Sequence, residues 1–299
     1  MELTSINKLR IAAVAALGIV VLGLLAWPLA APADPLSPVR AWSISPSGTL
    51  ALLVLAFGLG FVGYFIAWPH GREIGILAVP FGLTIWAGRS GPMRVLTQAC
   101  RQPYEREALA FSLRFEPVYW LLVVAAGFAG VLLAQYLRAP SPQPADEAPT
   151  GDRHSTNMYL TGVIALAGTV LISNFLLGVF AQDVATSRNI TPTQPPAGQI
   201  IFAVVAAFAV ASFLVKKFAN LSYLWPALAS AFVIGFAQAF YDGAQVLRQF
   251  AETRPATSFP HSALAILPIQ LVALGTLGSV LGYWLAVRYD WWRKHESAG

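Results

Sequence analysis

The stretch Thr49–Trp68, TLALLVLAFGLGFVGYFIAW, decides the fold. It contains no Asp, Glu, Lys or Arg, and a helix needs about 20 such residues to cross the hydrocarbon of a bilayer. At its centre, Gly58-Leu59-Gly60-Phe61-Val62-Gly63 matches the glycine fingerprint of dinucleotide-binding folds letter for letter. That fingerprint works only where a strand turns into a helix in water, with a pyrophosphate on the N–H groups of the turn. An uncharged run of membrane length supplies neither. Its glycines are read as small surfaces that let helices approach closely.

Seven further apolar blocks flank this one: Ile11–Ala31, Ile74–Ala87, Val118–Leu137, Tyr159–Ala181, Gln199–Val215, Leu221–Tyr241 and Ala263–Val287. With 57% hydrophobic and 11% charged residues, the chain departs from soluble globular proteins, in which about 25% of residues are charged. Lipid demands that every backbone polar group be satisfied within the segment, and helices do this. The alternating patterning of barrel strands is missing from the sequence. The expectation is an all-α polytopic membrane protein with about eight transmembrane helices. The third block, Ile74–Ala87, is short and contains Pro80, so a re-entrant segment is its alternative reading. The first block follows Lys8 and Arg10 and ends at Ala31-Pro32-Ala33, in the manner of a secretory signal. Its length favours a retained helix.

The chain also reads as if written twice. Pro46-Ser47-Gly48 returns as Pro196-Ala197-Gly198, Val95-Leu96-Thr97-Gln98 as Val246-Leu247-Arg248-Gln249, and Gly127-Phe128-Ala129-Gly130 as Gly275-Thr276-Leu277-Gly278. The offsets of 150, 151 and 148 are nearly constant, the signature of an internal repeat. Two tandem four-helix units follow, residues 1–137 and 159–299, joined by a Pro-rich linker at 138–158. An even number of crossings per unit makes the two units parallel. The repeat also argues that Ile74–Ala87 crosses, because its mate Leu221–Tyr241 is long enough to do so.

Charge and aromatic residues orient these units. The net charge is +5, but the basic residues sit in short loops beside apolar blocks, so nucleic acid is not an expected partner. With both termini on the cytoplasmic side of a bacterial inner membrane, all four lysines (Lys8, Lys216, Lys217, Lys294) lie inside. Arg89, Arg94, Arg101, Arg106 and Arg114 crowd one outer loop. All nine tryptophans lie near predicted helix ends, where a belt at the headgroups is expected. In the loop after the third span, Pro103–Glu116 places Tyr104, Ala108, Phe111 and Phe115 at helical spacing, with Pro117 following. This predicts a short amphipathic surface helix.

Candidate chemistry is sparse. A lone Cys100 excludes an intramolecular disulfide and any cysteine-cluster metal site. His70, His154, His261 and His295 share no helical face. Tyr241-Asp242 lacks the second acid that intramembrane aspartyl chemistry needs. No acidic or basic residue interrupts a span, and such residues mark proton and ion pathways. The polar residues within the blocks, Gln135, Asn174, Gln238, Gln270 and Tyr283, are expected to bridge helices.

Two sets of residues remain as candidates. Gly127 and Gly130, with Gly275, Gly278 and Gly282, form small-residue faces on the fourth and eighth helices, which are expected to meet a neighbouring helix. The interface between the two units is one candidate for that contact, and contact within a unit or with a separate subunit is equally permitted. Arg94, Arg101, Arg248 and Arg254, beyond the third and seventh helices, form a candidate contact for an anionic ligand or lipid headgroup. The expected function is a non-catalytic subunit or scaffold of a membrane complex, contacting the bilayer and other membrane subunits, without cofactor or metal. The alternative is a permease for an uncharged, amphiphilic or anionic molecule, with its site between the two units.

Overall fold

The computed structural model describes residues 5–100, 102–138, 154–182, 193–241, 252 and 259–296. Over these residues the chain is all-helical. The helices are α1 (Ser5–Gly18), continued by a π-helical stretch at Ile19–Leu25, α2 (Pro46–Ile66), α3 (Gly71–Ile74), α4 (Ala78–Arg89), α5 (Met93–Ala99) and α6 (Pro103–Arg138). The second half contributes α7 (His154–Phe180), α8 (Ala197–Ala219), α9 (Leu224–Ala229), α10 (Val233–Tyr241) and α11 (Pro268–Glu296). Local signals set several ends. The Ser45 hydroxyl accepts from the Gly48 N–H and Pro46 follows it, a capped start for α2. Asn220 adopts left-handed geometry at φ 51° and ends α8, its N–H donating to the Lys216 carbonyl.

Among the described residues, six helical segments are long and apolar enough to cross a membrane, or seven if a bent pair counts as one span, beside the expectation of about eight. The bent pair is Gly71–Arg89 with Met93–Ala99, meeting at 50°, and a 3-10 turn at Gly75–Leu77 interrupts it near its start. Its counterpart Leu221–Tyr241 is broken into α9 and α10 by the non-helical Ser230–Phe232. At about 1.5 Å per residue neither piece spans 30 Å alone. The separate surface helix is corrected: Pro103–Glu116 is the first part of the 36-residue α6, which runs on through Pro117. One buried stripe explains the continuity. Leu109, Leu113, Glu116, Trp120, Val124, Gly127, Val131 and Ala134 are buried at three- and four-residue spacing on both sides of the proline. The tryptophan belt is corrected at two positions, because Trp86 and Trp120 are fully buried.

Helix packing is parallel between alternate segments. α1 lies beside α4: a Cβ at Gly18 would overlap the Ala78 carbonyl, Gly82 faces Leu22, and the Trp27 and Trp86 rings meet edge-on at 6.2 Å. α2 lies beside α6 in the same sense. The Thr49 and Tyr119 hydroxyls are 3.1 Å apart, Gly60 abuts the Gly127 carbonyl, and Arg138 stacks over Trp68 at 3.9 Å. The chain between α2 and α6 therefore returns to its starting face through α3 and α4. α8 and α11 repeat this arrangement, with Gly278 against Val205, Gly282 against Ala209, and Phe213 beside Tyr289 at 5.9 Å. We name the two ends of the bundle after Trp42 and Trp68.

Both glycine faces thus lie within their own halves, Gly130 against α2, Gly127 against Val79 of α4 with its carbonyl toward Gly60 of α2, and Gly278 and Gly282 against α8. Gly275 faces the side chains of Phe208 and Ser230. Of the contacts open to these glycines, the one within each half is found. Between the halves, α11, 72% buried over its membrane-length window against 22% for α1, packs on α4 and α6. The Gln270 amide reaches the Ala87 carbonyl at 3.5 Å, and Gln238 donates to the Ala110 carbonyl at 2.7 Å. A side chain at Gly130 would strike the Phe57 carbonyl and Phe61 nitrogen, which are backbone and cannot step aside. Gly130→Leu should therefore cost at least the roughly 1–3 kcal/mol of an overpacked core, measured as a lowered unfolding temperature in detergent. Gly58→Ala, where nothing lies within 4 Å, should leave that temperature unchanged.

Candidate functional site

The Trp42 end of the bundle carries the most elaborate polar structure among the described residues. It begins in a loop that the sequence marks only as a break, Ala31 to Ile44. Asp34 folds the loop on itself, its carboxylate accepting from the Leu36 N–H at 3.0 Å and the Ser37 hydroxyl at 3.3 Å. The loop is then pinned to the turn after α4. The Val39 N–H donates to Ser90 Oγ at 2.8 Å, and the Gly91 Cα lies so close to the Leu36 carbonyl that a Cβ would overlap it. Val39, Ala41 and Ile44 are buried beneath it.

Its anchor is Glu116 of α6, whose side chain is only 1% exposed. Glu116 Oε1 accepts the Ala41 N–H at 2.6 Å. Arg40 approaches Oε2 to 3.8 Å through Nε and donates to Ser112 Oγ at 2.8 Å through Nη2. A buried carboxylate is tolerated only where charge and hydrogen bonds compensate it, and Arg40 and the Ala41 N–H supply both. Below lies the aromatic base of the site, Trp86 and Trp120 at 6.3 Å in edge-to-face contact. Arg40 Nε and Trp86 Nε1 are buried without a hydrogen-bond partner. Beside the pair opens a cleft of about 480 Å³ lined by Arg40, Trp42, Cys100, Glu105, Ala108, Leu109 and Ser112.

This arrangement can hold a loop and present one guanidinium to a shallow polar cleft. Its one thiol is a poor nucleophile: burial, then the Glu105 carboxylate, push Cys100 above the ordinary thiol range, while Arg106 and Arg40 pull back. Among the described residues no three His, Cys, Asp or Glu side chains converge as a metal site.

Of the arginines foreseen as an anion contact, Arg94 lies among the described residues. Arg94 is exposed at the start of α5, and its N–H donates to Gln194 Oε1 at 2.8 Å. Arg101, Arg248 and Arg254 lie outside the described residues. The other arginines of the outer loop disperse. Arg89 covers Trp27 at 4.4 Å, Arg106 reaches the Cys100 carbonyl at 3.4 Å, and Arg114 lies against Gly235. Reading the sequence missed Arg40 and Glu116. The signal available was Glu116-Pro117 at the edge of an apolar block, a carboxylate next to residues destined for burial.

No family model matches the chain, and neither a curated protein nor a solved structure is significantly similar to it. Glu116→Ala should strip the Ala41 N–H of its acceptor and Arg40 of its counter-charge and cost about 1.5–3 kcal/mol, the worth of a hydrogen bond to a charged group. Limited proteolysis should then cut within 31–44 faster than in the parent, and an unchanged cleavage rate would refute the anchoring role. Maleimide labelling of Cys100 in the folded protein should run slower than that of a free thiol at neutral pH, with its midpoint displaced to higher pH.

Proposed function

We propose that this integral membrane protein is a non-catalytic subunit that packs against other membrane proteins, the α6 extension being its contact surface. The observation that carries this reading is the geometry of α6. Thirty-six residues make a helix of about 54 Å, against roughly 30 Å of hydrocarbon. Its amino-terminal third buries Leu109 and Leu113 inward and leaves Tyr104, Phe111 and Phe115 exposed by 67%, 64% and 50%. Aromatic residues arrayed on an exposed helical face are characteristic anchors of protein interfaces.

The use of polar side chains points the same way. Thr84, Thr169, Thr276 and Ser279 each donate to a carbonyl of their own helix, Ser230 donates back to the Ala227 carbonyl of α9, and Ser212 donates to the Ser279 carbonyl. Gln238 and Gln270 link the halves. These groups hold helices together and leave few donors for a solute. A permeation path between the halves would run along α11, where Ile269, Leu271, Val272 and Ala273 are fully buried against neighbours.

The same reading takes the chain as two tandem parallel units with eight passages, each unit placing its first segment beside its third and its second beside its fourth. Support comes from the matching parallel pairs α2–α6 and α8–α11. An inner-membrane location with the Trp68 end cytoplasmic is supported by Arg138, Lys216, Lys217 and Arg288 gathered at that end. In native membranes solubilised mildly, the parent should migrate in an assembly larger than itself. Phe111→Ser with Phe115→Ser should release a free subunit of unchanged unfolding temperature. A parent that already runs as a lone chain would overturn the proposal.

A further inference from the structure

We infer that α6 pairs along its length with α6 of a second copy of this chain, the two helices lying parallel about a two-fold axis along the membrane normal. This rests on the reading of α6 as the contact surface, and names the partner. An exposed apolar row begins with Tyr104, Ala108, Phe111 and Phe115. Farther along, from Val118 to Leu132, the exposed residues of α6 are Val118, Leu122, Ala125, Ala129 and Leu132, and no others. Tyr136 continues the row. Its steps alternate between four and three residues from end to end, the a and d positions of an unbroken heptad pattern. A straight helix drifts about 20° per heptad, so a sustained seven-residue repeat fits one facing helix wound around it. Hydrocarbon imposes no such period.

The row also starts outside the bilayer core. Glu105, Arg106, Glu107 and Arg114 share the first third of α6 with it, and such a density of charge keeps that third out of the hydrocarbon. Tyr104, Phe111 and Phe115 therefore stand exposed where no acyl chain covers them. From Tyr104 to Tyr136 the helix rises about 48 Å at 1.5 Å per residue, against roughly 30 Å of hydrocarbon. Whatever covers the whole row must be a helix that leaves the membrane on the same side, to the same height, and stays apolar there. A second copy presents that helix by symmetry.

The row suits a partner identical to itself. About a two-fold axis each residue meets its own counterpart, and none of these residues carries a charge, so the pairing buries no like charges. Phe111 and Phe115 would give an aromatic contact in water. Ala125 and Ala129, four residues apart near the middle of the span, would let the two backbones approach where lipid offers no hydrophobic drive. A strip about 48 Å long and as wide as a helix, about 10 Å, covers roughly 500 Å² on each copy. The pair then buries about 1,000 Å², which reaches the size of a specific interface.

The test places single cysteines in the full chain carrying Cys100→Ser, in native membranes treated with copper phenanthroline as oxidant. Leu122→Cys, Ala125→Cys, Ala129→Cys and Leu132→Cys should each join two chains by a disulfide and double the apparent mass. A disulfide needs Cα atoms within about 7 Å, so Phe202→Cys, exposed on α8, should yield about tenfold less of that species. Four positions in the row guard against one variant failing to fold, and unfolding temperatures identify those that keep the parent's stability. The parent, tagged with one fluorophore at its carboxyl terminus, should also bleach in two steps in mild detergent. Capture of a different protein at the row positions would overturn the pairing and leave the subunit reading standing. So would equal yields from the row and α8 in a parent that still migrates in a larger assembly. A parent that runs as a lone chain would overturn both.

Discussion

Two helices that run side by side in one direction oblige the chain between them to travel back, and here that obligation is imposed by contact between backbones. Gly60 and Gly130 bring α2 and α6 so close that a single methyl group would overlap a carbonyl. Gly278 and Gly282 do the same for α8 and α11. In lipid no hydrophobic force drives helices together, so surface fit and close approach decide which pairs form. Once these pairs are set, α3–α4 and α9–α10 need not be regular helices. They are held as fillers between firm pairs, which is why they can carry breaks at Gly75–Leu77 and Ser230–Phe232.

The Trp42 end answers a different need. A loop laid over apolar helix ends must dispose of its backbone polar groups, and a carboxylate from below does so for Ala41. Arg40 offsets the charge. The loop thus becomes part of the bundle, and the α6 stripe from Leu109 to Ala134 stays continuous through Glu116. The bridging of Gln238 to Ala110 then ties this extension to the second half.

Much of the architecture was legible in the residues, and the failures have physical causes. Uncharged runs such as Thr49–Trp68 announce themselves because the bilayer demands length and apolarity together. Pro117 misled, since proline stops helices in water far more reliably than where neighbours supply the missing contacts. Glu116 hid the continuity of the buried stripe by standing where an apolar residue was expected. The tryptophans misled through their preference for interfaces, although Trp86 and Trp120 are core residues. The glycine faces were visible, but sequence spacing does not say which neighbour a face meets. Arg40 carried no local signal, because its partner lies 76 residues away.

The edge-to-face indoles give the molecule one more property. Trp27 meets Trp86 at 6.2 Å and Trp86 meets Trp120 at 6.3 Å, each pair nearly perpendicular. These rings stand on the turn after the first span, on α4 and on α6, so their transition dipoles come into fixed register only when those three segments are assembled. Exciton coupling among them is a built-in optical gauge of assembly at that end, readable by circular dichroism without any label.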